Sequence, residues 1–323
     1  MYKRQGFACH SATTSCLRVD GTAYITNVTS TLSAESVHVH NGGNAQITTV
    51  TSTNDADVIV LDDGSNFYGN AIADGFSRLI RGSGSVTATV FSNLTGGGDV
   101  FVEADALDGL VVVDDSFCGA ECPINSLLIG SVEDVEFISL NLTCGDSTPC
   151  IDARIDGELA LLGTTTPAQV NATGTFARLR GTGTVNINEM SVQYSNKLFD
   201  VSGSGELNIE DSTLGFENGG TISGWSLNAN NVVFVAQENG LVVLDVDANL
   251  STVEIARSFA SSDSTSVGLR AVWSEVTVDD VTMIGWNEGI RCESECTLSG
   301  LHLTSGGGGR NSGSGVTIDG GSM

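Results

Sequence analysis

The side chains best suited to chemistry in this 323-residue chain are aspartates that occur as neighbours or near neighbours. Carboxylates that lie close together coordinate Ca²⁺, or serve as general acid and base in the hydrolysis of glycosidic bonds. The competing interpretation is a set of turn aspartates on a solvated surface, and the sequence favours it. The candidate calcium ligands are Asp62, Asp63, Asp245 and Asp247, beside the further doublets Asp114-Asp115 and Asp279-Asp280.

Arginine recurs at corresponding positions of a loosely repeated motif, in which a short apolar run meets a Gly-x-Gly turn. The motif occurs at 76–86 and again at 176–185. A guanidinium binds carboxylates bidentately, so a row of arginines would suit an anionic glycan. The alternative is internal neutralisation, because 13 basic residues face 39 acidic ones. The candidate ligand-binding residues are Arg78, Arg178, Arg270 and Arg291.

Histidine and tryptophan add weaker candidates. His38 and His40 are two residues apart, so on a strand both side chains point to one face. Two histidines could ligate a metal, but no third ligand is evident in the sequence, and surface or structural roles are favoured. Trp225, Trp273 and Trp286 would form sugar-stacking platforms if exposed and would pack against turns if buried. No nucleophile elbow or phosphate-binding loop is present. No cofactor is expected, and Ca²⁺ is the one alternative.

All eight cysteines fall into close pairs with short intervening segments. Pairing of nearest neighbours leaves no odd thiol, which predicts four local disulfides. Zinc sites prefer a Cys-x2-Cys spacing, whereas the spacings here are x6, x3, x5 and x3. Disulfides persist in oxidising compartments, so an extracellular or cell-surface location is expected. The predicted pairs are Cys9 with Cys16, Cys118 with Cys122, Cys144 with Cys150, and Cys292 with Cys296.

The formal charge of −26 bears on the partners of the chain. Such a surface repels nucleic acid and anionic membranes, which leaves carbohydrate or other surface proteins as the expected partners. No run approaches the ~20 apolar residues of a membrane helix, so no membrane insertion is expected in this segment. Asn-x-Ser/Thr sequons give weak support for a secreted glycoprotein, with candidate glycosylation sites at Asn27, Asn93, Asn141, Asn171 and Asn249.

A unit of about 22 residues recurs along the chain. In its clearest copy, Arg270 matches Arg291 at a spacing of 21, and Thr277 matches Thr297 at a spacing of 20. Successive strand starts are 18 to 26 residues apart, and most of them open an apolar-polar-apolar triplet of period two. The predicted starts are Val135, Leu159, Val185, Leu207, Val232, Val253, Val276, Leu298 and Val316.

This pattern predicts an all-β fold, for which two architectures remain. A sandwich of antiparallel hairpins would use Asn-Gly and Asp-Gly turns, and both dipeptides occur. A sandwich does not need one motif to return every ~22 residues, whereas a parallel β-helix stacks each coil on the last. We therefore predict a right-handed parallel β-helix, a solenoid with coils of about 22 residues. Its Gly-x-Gly turns would supply positive φ at the corners, and Phe76 and Phe176 would be interior anchors.

The periodicity resembles the right-handed parallel β-helix superfamily, the pectin-lyase-like fold, and in particular the long β-helical surface or adhesin-like proteins of marine microbes. The resemblance covers most of the chain, best from Val135 onward, and rests on generic residues. If the chain is an enzyme, the resemblance implies a polysaccharide lyase or a glycoside hydrolase. Lyases of this fold use a basic residue beside calcium-bound carboxylates to abstract a proton from the sugar. The Gly-His-Gly and Arg-x-Lys elements of inverting polygalacturonases are missing from this sequence, which places that likeness in doubt.

Both ends of the chain suggest an assembled environmental fragment. Residues 1–5 resemble a translated sequencing adaptor and are interpreted as a non-native leader, and the chain stops in mid-pattern. Residues 6–323 are expected to form a single solenoid that is truncated at both ends. Within it, residues 305–315 are rich in Gly and Ser and are expected to form a loop.

The functional expectation is a non-enzymatic extracellular or cell-surface module with a structural or adhesive role, in contact with glycans. The alternative is a polysaccharide lyase or glycoside hydrolase on the same fold. An enzyme would need carboxylates and an arginine to converge in a groove on one sheet. Coils of 18 to 26 residues leave little length for the walls of such a groove, which favours the non-enzymatic role.

Overall fold

The computed structural model describes residues 2–4, 6–94, 98–114, 126–145, 148–163, 168–258, 266–300, 303–306 and 316–319. These residues form 28 β-strands and no helix. The chain divides into two compact units, Met1–Gly145 with Cys150–Leu162, and Asp146–Pro149 with Gly163–Met323. Each unit is a parallel β-solenoid, and the strands together make about 12 turns.

The strands of the first unit are β1 (Tyr2–Arg4), β2 (Phe7–His10), β3 (Ser15–Val19), β4 (Thr22–Thr31), β5 (Glu35–Val39), β6 (Asn44–Thr53), β7 (Asp57–Leu61), β8 (Asn66–Asp74), β9 (Phe76–Leu94), β10 (Gly98–Asp114), β11 (Leu127–Ile138), β12 (Leu142–Cys144) and β13 (Ile151–Leu162). Segment 2–4, interpreted above as part of a leader, pairs with β4 in parallel.

The strands of the second unit are β14 (Ala168–Ala172), β15 (Thr175–Gly181), β16 (Thr184–Asn188), β17 (Met190–Ser195), β18 (Lys197–Gly203), β19 (Glu206–Glu210), β20 (Thr213–Ser223), β21 (Ser226–Leu244), β22 (Asp247–Arg257), β23 (Val267–Val272), β24 (Glu275–Ile284), β25 (Glu288–Glu293), β26 (Thr297–Ser299), β27 (Leu303–Gly306) and β28 (Val316–Asp319).

In the interior of the first unit, similar apolar side chains stack on one another from coil to coil. Period-two alternation sends every second side chain inward, and parallel pairing in register then superposes the inward side chains of successive coils. One aliphatic stack crosses seven strands, and all of its members are buried. Its members are Leu17, Val37, Ile59, Ile80, Val102, Leu127 and Ile151.

The second unit is built in the same way, and aromatic side chains take part in its interior stacks. Phe176 and Phe199 lie on neighbouring coils with ring centroids 5.9 Å apart. Phe176 is fully buried, and Phe76 is buried in the first unit, so both predicted interior anchors are confirmed. Trp225 is also fully buried, and its indole Nε1 donates a hydrogen bond of 3.2 Å to the carbonyl oxygen of Ser202.

The corners of the coils use two kinds of positive-φ residue. The predicted Gly-x-Gly corners are confirmed, since Gly181 and Gly203 have φ of 106° and 116° and lie one above the other. A second corner places non-glycine residues in the left-handed region, where most side chains are disfavoured. Ser11, Leu32 and Asn54 each have φ of 55°, and the backbone N–H of each donates to a carbonyl of the next coil.

The predicted ladder of strand starts is right in some steps and wrong in others. Val135 pairs with Leu159, and Val185 pairs with Leu207, as expected. The next step is wrong, because Leu207 pairs with Leu227 rather than with a residue five positions later. Further pairs that match the ladder are Val232 with Val253 and Val276 with Leu298.

The ladder and the repeat contain further errors. Val253 pairs with Val281, and Val316 pairs with Ile290. The match of Arg270 with Arg291 is right, but Thr277 pairs with Ser299 and not with Thr297. Every coil contains several strands with the same period of two, so a ladder drawn from sequence can pass from one face of a coil to another.

Candidate functional site

Charged side chains converge on one outer face of the first unit. Strands β3, β5, β7, β9 and β10 lie in register there, with the buried aliphatic stack on the inward side. Acidic and arginine side chains from successive coils lie on these strands beside the stack. We call this set the charged row, and its members are Glu35, Asp57, Arg78, Arg81 and Glu103.

Asp57 is the centre of the charged row. Its side chain is only 3% exposed, because guanidinium groups from the next coil lie on it. Arg78 Nε is 2.5 Å from Asp57 Oδ1, and Arg81 Nη1 is 3.0 Å from Asp57 Oδ2. Arg78 also reaches the following coil, where its Nη1 donates to Glu103 Oε2 at 3.1 Å. The hydrogen bond with Asp57, helped by Glu103, holds the pKa of Arg78 above its usual value.

The charged row continues through Glu35 to the two histidines. Arg81 Nη2 donates to Glu35 Oε1 at 2.8 Å. His38 lies between two carboxylates, with Nδ1 3.2 Å from Glu35 Oε2 and Nε2 3.0 Å from Asp62 Oδ2. His40 is placed beside it, and its Nε2 is 3.7 Å from the same oxygen of Asp62. The predicted shared face of His38 and His40 is confirmed, with ring centroids 5.7 Å apart.

The geometry of the charged row limits the chemistry that its groups can do. Paired carboxylates can serve as acid and base in glycosidic hydrolysis, and an imidazole can also transfer protons. A general acid or nucleophile must contact its substrate, however, and Asp57 is covered by its own arginines. Arg78 in turn uses Nε, Nη1 and Nη2 on acids of the same chain. The contacts that these groups make bind neighbouring coils to one another.

The candidate arginines of the second unit are also paired with acids. Arg178 Nε is 3.3 Å from Asp200 Oδ2, one coil away. Lys197 donates to the other oxygen of Asp200 at 3.0 Å, and this hydrogen bond is the main reason that the pKa of Asp200 is lowered. Arg270 Nη2 donates to Glu293 at 2.7 Å.

Arg291 lies directly next to Arg270 in the register and pairs with Glu288. Burial alone would raise the pKa of Glu288, but hydrogen bonds from Arg291 and Thr317 outweigh burial, so this pKa is lowered. Glu288 Oε2 accepts from both Nε and Nη2 of Arg291, whereas the buried Oε1 has no hydrogen-bond partner among the described residues.

The candidate calcium ligands do not gather into one site. Asp62 faces the histidines, while Asp63 accepts a hydrogen bond of 2.8 Å from the backbone N–H of Ser85. Asp245 has φ of 56° at a corner, a conformation that aspartate tolerates better than most residues, and its neighbour Asp247 begins β22. Within the described part of the chain, no group of three or more His, Cys, Asp or Glu side chains is placed to hold a metal ion.

The remaining doublets have separate positions. Asp280 is at a corner with φ of 53°, and Asp279 is exposed on β24. The backbone of Asp114 ends β10, while its side chain and the whole of Asp115 lie outside the described residues.

Tryptophan exposure differs within the chain. Trp225 and Trp286 are buried, and Trp286 Nε1 donates to the carbonyl oxygen of Ile255 at 2.9 Å. Trp273 is 57% exposed and has φ of 49° at a corner. Of the three tryptophans, therefore, only Trp273 exposes its indole as a possible sugar-stacking platform.

Disulfides join three of the predicted cysteine pairs. The bonds are Cys9–Cys16, Cys144–Cys150 and Cys292–Cys296. The fourth predicted pair, Cys118 and Cys122, lies outside the described residues.

The sequon asparagines all lie on or beside strands. Asn27, Asn93, Asn171 and Asn249 are exposed, while Asn141 is half-buried and its Nδ2 donates to the carbonyl oxygen of Ser139 at 3.2 Å.

Two polar networks were not anticipated from the sequence. A ladder of amides crosses four strands of the second unit, in which Asn208 donates to Asn186, Asn228 donates to Asn208, and Asn249 donates to Asn228, at 2.8 to 3.0 Å. The contact between Asn186 and Asn208 could have been found from the sequence, because both residues are the central polar position of matching triplets, Val185-Asn-Ile187 and Leu207-Asn-Ile209. The second network is centred on Asp55, a buried acceptor of three hydrogen bonds from nearby serines.

The described residues contain no helix with the length and apolar character needed to cross a membrane. No protein-family model, curated protein or solved structure matches this chain.

Proposed function

We propose that the chain is a non-enzymatic, extracellular or cell-surface β-helix module with a structural and adhesive role, of the right-handed, pectin-lyase-like kind. The observation that carries this proposal is the charged row, in which acids and arginines join successive coils instead of facing a substrate. Asp57 contacts both arginines of the neighbouring coil, so its charge is used within the fold.

Two further properties support the location. Three disulfides close short segments, and disulfides persist mainly in oxidising compartments outside the cytosol. Exposed sequon asparagines are compatible with a secreted glycoprotein. The formal charge of −26 opposes binding to nucleic acid and to anionic membranes, and leaves glycans or other surface proteins as partners.

A polysaccharide lyase or glycoside hydrolase is the second candidate. The convergence of Glu35, Asp57 and His38 with two arginines on one sheet favours it, because glycan cleavage uses such groups. Ca²⁺ would be the metal to test for a lyase, since it prefers carboxylate oxygens.

An assay of product release separates the two candidates. The chain is incubated with polygalacturonate, alginate and a neutral glucan, each with and without Ca²⁺, and both new reducing ends and unsaturated sugars are measured. We expect no product above that of heat-inactivated protein. Release of product that disappears in Glu35→Gln, but persists in a matched Glu→Gln change at the exposed Glu275, would overturn the proposal in favour of an enzyme.

A separate experiment tests the proposed extracellular or cell-surface location. The chain secreted from a host cell is unfolded in denaturant without a reductant, treated with an alkylating reagent and analysed by mass spectrometry. We expect no modified cysteine until a reductant is added. Alkylation of the cysteines of β2, β12 and β25 without reduction would argue against an oxidising compartment.

A further inference from the structure

A cleft opens on the outer face of the first unit, away from the charged row. Its volume is about 390 Å³, within the ~300–1,000 Å³ range of small-molecule sites. Strands β6, β8 and β9 line it. The lining residues are Gln46, Ile47, Thr48, Tyr68, Gly69, Asn70 and Phe91.

The cleft lies where one coil is shorter by a residue. Between β6 and β8, Ile47 pairs with Gly69 and Thr49 pairs with Asn70, so Thr48 has no counterpart in β8. Such an irregularity bends the strand and changes the direction of nearby side chains. Gly69 allows the close approach, because a Cβ at this position would collide with the carbonyl oxygen of Ile47.

An aromatic pair, the exposed Tyr68 and the half-buried Phe91, forms one side of the cleft. Tyr68 is 51% exposed, although large aromatic side chains usually bury most of their surface. Its ring meets Phe91 edge to face, with the centroids 5.7 Å apart and the planes at 76°. This contact holds the tyrosine ring in position and leaves half of its surface open to solvent.

The polar groups of the cleft are neutral. Gln46 and Asn70 are exposed amides on either side of the register shift, and Thr48 adds a hydroxyl group. No Asp, Glu, Lys, Arg or His is among the lining residues, although the chain as a whole carries a formal charge of −26. The site therefore offers amide and hydroxyl hydrogen bonds beside an aromatic surface, without a charge to attract or neutralise an ion.

We infer that this cleft binds the neutral sugar units of a glycan. A pyranose presents C–H groups on its faces and hydroxyl groups around its edge. The electron-rich face of Tyr68 suits the C–H groups, while the amides of Gln46 and Asn70 can both donate to and accept from hydroxyl groups. The inference rests on the proposed adhesive function, for which it names the ligand class and the residues in contact.

Binding of defined probes tests the inference. Cellohexaose, mannohexaose and xylohexaose serve as neutral probes, and hexagalacturonate serves as the acidic one, each titrated calorimetrically into the full chain produced without N-linked glycans. We expect at least one neutral probe to bind and the acidic probe to fail. Tyr68→Phe should retain binding, whereas Tyr68→Ala and Asn70→Ala should each weaken it about tenfold or more.

Trp273→Asn is the matched control, because Trp273 is the exposed tryptophan of the second unit and asparagine tolerates its positive φ. We expect this variant to bind as the parent chain does, and circular dichroism confirms that each variant is folded. The inference is overturned if no neutral probe gives saturable binding up to about 10 mM, or if Tyr68→Ala binds as well as the parent.

The two proposals fail in different ways. Absence of neutral-sugar binding removes the cleft site but leaves the structural module, which is judged by product release and cysteine alkylation. Release of sugar products alongside Tyr68-dependent binding would remove the non-enzymatic function and keep the cleft site.

Discussion

Asp57 provides the sharpest test of how the charged row stabilises the fold. Asp57→Asn keeps the shape of the side chain and one acceptor oxygen but removes its charge. In the parent chain, the Asp57 carboxylate lies 2.5 Å from Arg78 and 3.0 Å from Arg81, and the side chain is 3% exposed. The substitution therefore leaves two guanidinium groups without their central counterion.

The expected loss of stability depends on how deeply Asp57 and its two arginines are buried. Removing one partner of a fully buried ion pair costs about 3–5 kcal/mol. Arg78 and Arg81 are 28% and 40% exposed, so water can solvate both guanidinium groups after the change. We therefore expect a loss of about 2–3 kcal/mol in local stability, below the range for a fully buried pair.

Hydrogen exchange measured by mass spectrometry is the suitable assay. A chain of stacked coils need not unfold in a single two-state transition, whereas exchange reports the opening free energy of each segment. The protection of β5, β7 and β9 should fall in Asp57→Asn, while that of β19 and β22 should not change. The exposed Asp74 gives the matched control, since Asp74→Asn should change protection by less than about 0.5 kcal/mol.

A double-mutant cycle completes the test. Arg81→Gln is combined with Asp57→Asn, and the two changes should cost less together than the sum of their separate effects, because they remove one shared contact. Equal protection in Asp57→Asn and Asp74→Asn, or strict additivity in the cycle, would refute the view that the charged row holds the coils together.

Three further predictions concern the second unit. Trp225→Ala should cost about 3–5 kcal/mol in the exchange protection of β18 and β21, because it empties a fully buried indole site. Asn208→Ala should cost about 1–2 kcal/mol in exchange protection of β16, β19 and β21, since it removes two amide hydrogen bonds of the ladder. Glu288→Gln should destabilise at neutral pH by about 1–2 kcal/mol. The pKa of Glu288 is lowered in the fold, so its contribution is complete above the usual pKa of 4.5 and disappears as pH falls through the lower folded value.

Each of these predictions has a control and a contrary outcome. Trp273→Asn should leave exchange protection unchanged, and equal effects at the two tryptophans would contradict the burial argument. Asn44→Ala, at an exposed asparagine of β6, is the control for the amide ladder. For Glu288, a stability difference between parent and variant that stays constant from neutral pH to below pH 4.5 would contradict the ion-pair explanation.

The sequence by itself determined the fold class and the coil length. Alternation of apolar and polar residues is a property of the local backbone, so Val185-Asn-Ile187 and Leu207-Asn-Ile209 indicate inward and outward positions without knowledge of neighbours. The return of this pattern at about 22 residues was enough to favour stacked coils over a sandwich. Cysteines four to seven residues apart were likewise close whatever the fold around them.

Only the tertiary structure decided which coil faces meet and which charges pair. Lateral contacts depend on the summed lengths of all intervening segments, so one residue more or less moves every later pairing, as the step from Leu207 to Leu227 shows. Arg81 and Glu35 are 46 residues apart in sequence, and nothing local predicts their contact. The cleft at Tyr68 arises from a single residue missing in β8 relative to β6, and its effect exists only when the two coils are stacked.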